Sequence, residues 1–122
     1  MTFLYLDDET KDLANKLGYT AKQDSDISIL FNNDKGFFCL TALGGNDSVA
    51  ESHSVYIYDR GKGHGKTQHK DRLALAKALG LQSLIATVRK DNYVERYILD
   101  QNKWTNIWMS VTPDTDLWLI TL

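Results

Sequence analysis

The chain has 122 residues, 43% of them hydrophobic and 25% charged, with one proline, three Trp, six Tyr and four Phe. That composition predicts a single globular domain spanning 1–122 and excludes low-complexity disorder. No run approaches the roughly 18 apolar residues of a membrane helix, and the N-terminus lacks a leader pattern, so no membrane partner is expected.

Cys39 is the single cysteine. It excludes an internal disulfide and a cysteine zinc cluster, and it predicts a reducing, cytoplasmic setting. Net charge is −2, unevenly spread: ten acids face four lysines in residues 1–59, leaving +4 for the rest. Arg60 to Arg72 alone holds five Lys or Arg and one Asp. A local basic loop in an acidic chain suits a small phosphorylated ligand; a nucleic-acid groove wants a broad basic face.

In chain order, Phe3–Leu6 reads as a first strand. Residues 7–18 read as a helix with an acidic start, Leu13 and Leu17 on one face, and Gly18 as its stop. Residues 26–44 read as a hairpin: Ile27, Ile29 and Phe31 alternate, Asn-Asn-Asp-Lys-Gly turns, and Phe37 to Leu43 returns. Val49–Tyr58 makes a third consecutive strand, hence an antiparallel meander. Lys66–Leu79 reads as a helix closed by Gly80, with Leu73, Ala76 and Leu79 as its apolar positions. Leu84–Val88 is a buried-type strand and Asp91–Gln101 a helix with Val94, Tyr97 and Ile98 on a core face. Ile107–Val111 and Leu117–Leu122 form a closing hairpin. The order predicts a mixed α/β (α+β) domain.

One loop carries chemistry. Between strand and helix stand Arg60-Gly61-Lys62-Gly63-His64-Gly65-Lys66-Thr67. Alternate glycines let backbone N–H groups turn toward an anion, and the helix start behind them adds about half a positive charge. A nucleotide P-loop needs glycine five positions before Gly65, where Arg60 stands; the dinucleotide fingerprint misplaces its third glycine. His64 and His69 lack the third ligand that a metal site requires.

The pattern that fits is Arg-x-x-Gly-x-Gly, which resembles the acyl-CoA-binding motif of the GNAT superfamily of N-acetyltransferases. The likeness extends downstream: fourteen residues to Gly80, then a strand, then Asn92 and an aromatic, Trp104, twelve positions later. The resemblance covers about residues 26–122. It implies a central mixed, mostly antiparallel sheet flanked by helices, with acetyl-CoA as co-substrate and no metal. It further implies that Arg60, Gly61, Lys62, Gly63, His64, Gly65 and Lys66 hold the pyrophosphate, that Asn92 marks the cofactor side of the next helix, and that the strand near Val55 pairs with the pantetheine arm. The partner it implies is an amine acceptor, either a small molecule or a protein lysine or N-terminus.

For acyl transfer to an amine, the resemblance points to a base on the strand before the motif. That strand offers Glu51 and His53, two apart and therefore on one face. Each also reads as an ordinary strand residue, a solvent-facing carboxylate and a satisfied histidine. The family's usual acid, a Tyr seven positions after the Asn, is Leu99 here, and Lys103 stands where a Gly is usual before the closing aromatic. Tyr97 is the nearby hydroxyl, about 200° around the helix from 99, and its spacing predicts a core role. Cys39 is expected to be buried, and Trp104, Trp108 and Trp118 to lie in the core or on the hairpin face. Two readings remain open: an active N-acetyltransferase, and a GNAT-fold binding or assembly protein without turnover. A homodimer through the terminal strand, if it lies at an edge, is a further expectation.

Overall fold

The computed structural model describes residues 3–43 and 46–122. Among them are α1 (Asp8–Lys16), β1 (Thr20–Ser25), β2 (Ser28–Asn32), β3 (Gly36–Leu43), β4 (Asn46–Ile57), α2 (His64–Ala78), β5 (Ser83–Arg89), α3 (Tyr93–Gln101), β6 (Thr105–Thr112) and β7 (Thr115–Thr121). The strands form one seven-stranded sheet in the order β1-β2-β3-β4-β5-β7-β6. Every pairing is antiparallel except β4 with β5. The expected mixed, mostly antiparallel sheet is therefore present, with the meander running from β1 to β4. No helix is long and apolar enough to cross a membrane.

One N-terminal expectation fails. Phe3–Leu6 is not a strand; it is strapped to the sheet by the Gln23 carboxamide. Gln23 Oε1 accepts from Leu6 N at 2.8 Å, and Nε2 donates to Leu4 O at 2.6 Å. The edge strand is instead Thr20–Ser25, a polar segment whose partner is β2. The terminal strand β7 lies between β5 and β6, so it has no free edge to offer a second copy; the edges are β1 and β6.

The core lies between the sheet and the helices. Phe38, Leu40, Ala50, Leu84 and Ala86 point to the helix side, where Leu75 and Ala76 of α2 and Leu99 of α3 are also buried. α2 reaches that face at Ser52, accepting from Arg72, and α3 reaches it where Arg96 pairs with Asp116 at 2.8 Å and lies over Trp118. Tyr19, just after α1, packs edge-on against Phe38 and donates to Asp71 of α2. The other sheet face carries Phe37, Cys39, Thr41, Glu51 and His53, all half-buried. None of the described helices packs on it. Cys39 is thus half-buried, not enclosed, and burial pushes its thiol up. Trp104 and Trp118 are core residues, whereas Trp108, at φ 57°, is 78% exposed.

Candidate active site

Two irregularities in β4 shape the site. First, β4 pairs with β5 over three rungs, Val49 to Glu51 against Ser83 to Ile85, and then the strands part. From Ser52 onward β4 keeps only its β3 neighbour, while β5 stays paired with β7. Second, two residues of β3, from Phe37 to Cys39, span three of β4, from Tyr56 to His53. The extra residue is Ser54, with φ 55°. This bulge shifts the side-chain phase by one. Glu51, His53 and Tyr56 consequently share the open face, while Ser52, Val55 and Ile57 share the helix face. Gln68 of α2 holds the bulged segment by donating from Nε2 to the carbonyls of Phe37 and Tyr56, both at 3.3 Å. Gly36 is obligatory beneath it, because a Cβ there would collide with the Tyr56 carbonyl oxygen.

On the helix face the parting strands open a cleft of about 630 Å³ between β4, the glycine loop, the start of α2 and α3. Val55, Arg60, Gly61, Gly63, His64, Gly65, Lys66, Asn92 and Tyr97 all line it. Lys62 does not; it is exposed and pairs with Asp59 at 2.8 Å. Gly61 and Gly63 take φ of 84° and 78°, and a Cβ on either would meet nothing within 4 Å. Their role is conformational, and the space over them is open. α2 begins at His64, two residues before the expected Lys66. Its N-cap is Gly63, with no side-chain cap and no acid in the first turn. The first-turn amides therefore keep their capacity for an outside acceptor. The cradle fits a diphosphate: open space, helix amides, and Arg60 and Lys66 at its rim.

Asn92 caps α3, accepting from Glu95 N at 3.2 Å. The core role expected for Tyr97 is overturned. Tyr97 is 57% exposed and Val94 73%, and both line the cleft together with the buried Ile98, while Leu99 supplies the core side. Tertiary context, namely the gap left by the parting strands, leaves that face of α3 uncovered.

Glu51 and His53 share a face, and it is not the face of the cleft. Glu51 is the last β4 residue paired with β5, so it stands where the strands part. His53 follows beside the gap, with Nε2 2.5 Å from Thr41 Oγ1 and Nδ1 2.9 Å from Ser54 Oγ.

Sequence reasoning missed the buried polar cluster of α2. Arg72, 2% exposed, contacts Ser52 Oγ at 3.1 Å, His69 Nδ1 at 3.0 Å and Glu95 Oε1 at 3.3 Å. Burial lowers the Arg72 pKa from its usual range, and Glu95 opposes that shift. His69 is fully buried, with Trp104 Nε1 3.2 Å from Nε2. Both of its neighbours are donors, so a neutral imidazole accepts from one, and a protonated one from neither. Burial and the Arg72 charge lower its pKa to about 4. Arg72 and His69 thus belong to the scaffold, although they sit in the same basic run as the loop.

No protein-family model matches the chain, and no curated protein matches it significantly. Solved structures do. The chain resembles the GNAT domain of S. lividans PAT with a TM-score of 0.69 and 14% identity, covering 83% of this chain and 64% of that one. It also resembles the Campylobacter jejuni N-acetyltransferase PseH in complex with acetyl coenzyme A, with a TM-score of 0.67, 18% identity and coverage of 80% and 70%. An acetyltransferase from Thermus thermophilus matches with a TM-score of 0.66, 16% identity and coverage of 81% and 67%. At such identities it is backbone architecture that is shared. The chain has the fold of the GNAT acetyltransferases.

Proposed function

We propose that the chain is an acyl-CoA-dependent N-acetyltransferase that moves the acetyl group of acetyl-CoA to a primary amine by direct attack. The observation that carries this reading is the parting of β4 from β5 after Glu51, with an uncapped helix start and three glycines lining the cleft on the helix face. Glu51 and His53 lie beside the parting on the other face. The acetyl-CoA-bound PseH neighbour supports the choice of co-substrate.

In this reading the amides of the Gly61–Lys66 turn, with Arg60 and Lys66, bind the diphosphate, and Lys62 adds charge from outside the cleft. The β4 backbone around Val55, freed from β5, pairs with the pantetheine arm. Asn92 fixes the start of α3 as the opposite wall. Acetyl-CoA supplies an activated carbonyl; the chain must deprotonate an ammonium and return a proton to the thiolate. Glu51 takes the ammonium proton, directly or through water, with His53 as the alternative base. Tyr97, on the cleft side of α3, is the acid candidate, since position 99 is a buried leucine. That leucine is also what favours the second reading, a GNAT-fold protein that binds CoA without turnover.

Thermal unfolding with acetyl-CoA tests the proposal. A ligand that binds only the folded state at a hundred times its Kd stabilises by about 2.7 kcal/mol. Gly63→Val should abolish the shift by crowding the phosphate turn. No shift with millimolar CoA, together with a shift from ATP, overturns the proposal. With turnover established, Glu51→Gln should slow the reaction most near neutral pH and least at high pH, where the amine loses its proton unaided. The same profile from His53→Gln in its place swaps the roles. CoA binding with no amine acetylated selects the second reading.

A further inference from the structure

The open face of the sheet carries a cluster that the proposed transfer chemistry leaves unused. Phe37 on β3 and Tyr56 on β4 stack with centroids 5.6 Å apart and planes 19° apart. Tyr58 stands 6.1 Å from Phe37 and 5.8 Å from Tyr56, tilted 53° and 59° to them. The first two rings form a floor and the third a wall. Tyr56 and Tyr58 are 46% and 52% exposed. The phenol of Tyr58 is tied to Asn32 at 3.1 Å, which fixes the wall. Two exposed tyrosines set around the half-buried Phe37 make an aromatic patch that a flat group can cover. The Arg60 guanidinium lies 5.9 Å from the Tyr56 centroid, and in the proposed function it turns to the diphosphate and leaves the ring face clear.

The cluster lies in line with the proposed bases. In the β3–β4 register Phe37 pairs with Tyr56, Cys39 with His53, and Thr41 with Glu51, all on the open face. Two residues of strand span about 7 Å and four about 13 Å. The ring corner therefore sits roughly 7 Å from the His53 position and roughly 13 Å from that of Glu51. Asp24 lies near Cys39, whose thiol is pushed up by burial first and by this carboxylate second, and Lys22 stands on the same face in register with Leu30 and Cys39. An amine docking here meets aromatic surface at one end and the Glu51 carboxylate at the other.

We propose that the acceptor is an arylalkylamine: a flat ring seated on Phe37, Tyr56 and Tyr58, with its amine reaching along β4 toward His53 and Glu51. This rests on the transferase reading for the chemistry, while the docking of the ring does not depend on it.

Calorimetry on the full chain, with and without CoA, tests the docking in the absence of turnover. Tryptamine and 4-phenylbutylamine should bind at least tenfold tighter than putrescine or butylamine. Tyr58→Ala, and independently Tyr56→Leu, should weaken the two aryl amines roughly three- to tenfold and leave putrescine unchanged, in line with the contribution of one aromatic pair. Tyr58→Phe should retain the affinity, because the ring and not the hydroxyl carries it. Equal affinity for putrescine, or aryl-amine affinity indifferent to both ring deletions in folded variants, overturns the inference. Acetylation of the same four amines reads the chemistry separately. Aryl amines that bind but are never acetylated overturn the transferase and leave the docking site standing; turnover without ring preference does the reverse.

Discussion

The first turn of α2 and the two turns that follow it are built from similar residues and put to opposite uses. His64 and Lys66 stand at the open start of the helix, lining a cleft with no side-chain cap on the amides. His69 and Arg72, one and two turns further on, are buried and bonded to Ser52, Glu95 and Trp104. The first pair is free to meet a ligand; the second is committed to holding β4, α2 and α3 together. A basic residue's position along one helix, more than its type, decides whether it serves binding or architecture.

The strongest way to break this contrast is Arg72→Ala. Removing one member of a buried charge pair costs about 3–5 kcal/mol, because the partner stays desolvated and alone. Glu95 is 19% exposed, which places the expectation near the lower end, about 3 kcal/mol. Denaturant unfolding measures it. Arg60→Ala should change stability by less than about 0.5 kcal/mol in the same experiment, as surface substitutions do. Equal losses would mean that the two turns are not functionally separate.

The second test is pH. With a folded-state pKa of about 4, His69 refuses a proton that the unfolded chain accepts from about pH 6.5 downward. Stability contributed by this group is whole above about pH 6.5 and falls as the pH drops toward about 4. Below that both states are protonated, and the loss stops growing. The full loss is on the order of 3 kcal/mol. In His69→Gln, which keeps an acceptor for Trp104, that stretch of the stability profile should flatten.

The same contrast explains what could be read from the sequence. The turn of the glycine loop was legible because positive φ demands particular residues, and Gly61 and Gly63 adopt it, while Gly65 stands in the first turn of α2. The buried side of α2 was not. It is made of Gln68, His69, Arg72, Leu75 and Ala76, three of them polar, and apolar periodicity is blind to such a face. Periodicity likewise put Tyr97 in the core, because nothing in the residues around it signals that β4 and β5 part and leave a gap. β1 was missed for a related reason: Thr20–Ser25 has only Ala21 as an apolar residue, and the strand exists because β2 offers it an edge. The bulge at Ser54 carries no glycine or proline to announce it. What depends on local backbone chemistry was visible; what depends on non-local pairing was not.

The finest test lies within the open end. Arg60→Ala and Lys66→Ala should each weaken CoA by about tenfold, the worth of one charge-assisted hydrogen bond, and weaken pantetheine, which lacks the diphosphate, much less. Titration calorimetry on the two ligands gives the ratio. The difference between ligands matters more than the size of either loss. A residue that only supports the loop would weaken both equally, since a misplaced loop spoils the pantetheine path proposed beside Val55 as well. A residue that meets the diphosphate acts on one ligand alone. Lys62→Ala supplies the internal scale: its ammonium is paired with Asp59 outside the cleft, so its effect should be smaller than either and should fade as salt screens it. If Lys62 proves equal to Arg60, long-range charge and not contact holds the anion, and the distinction between the two turns of α2 reduces to burial alone.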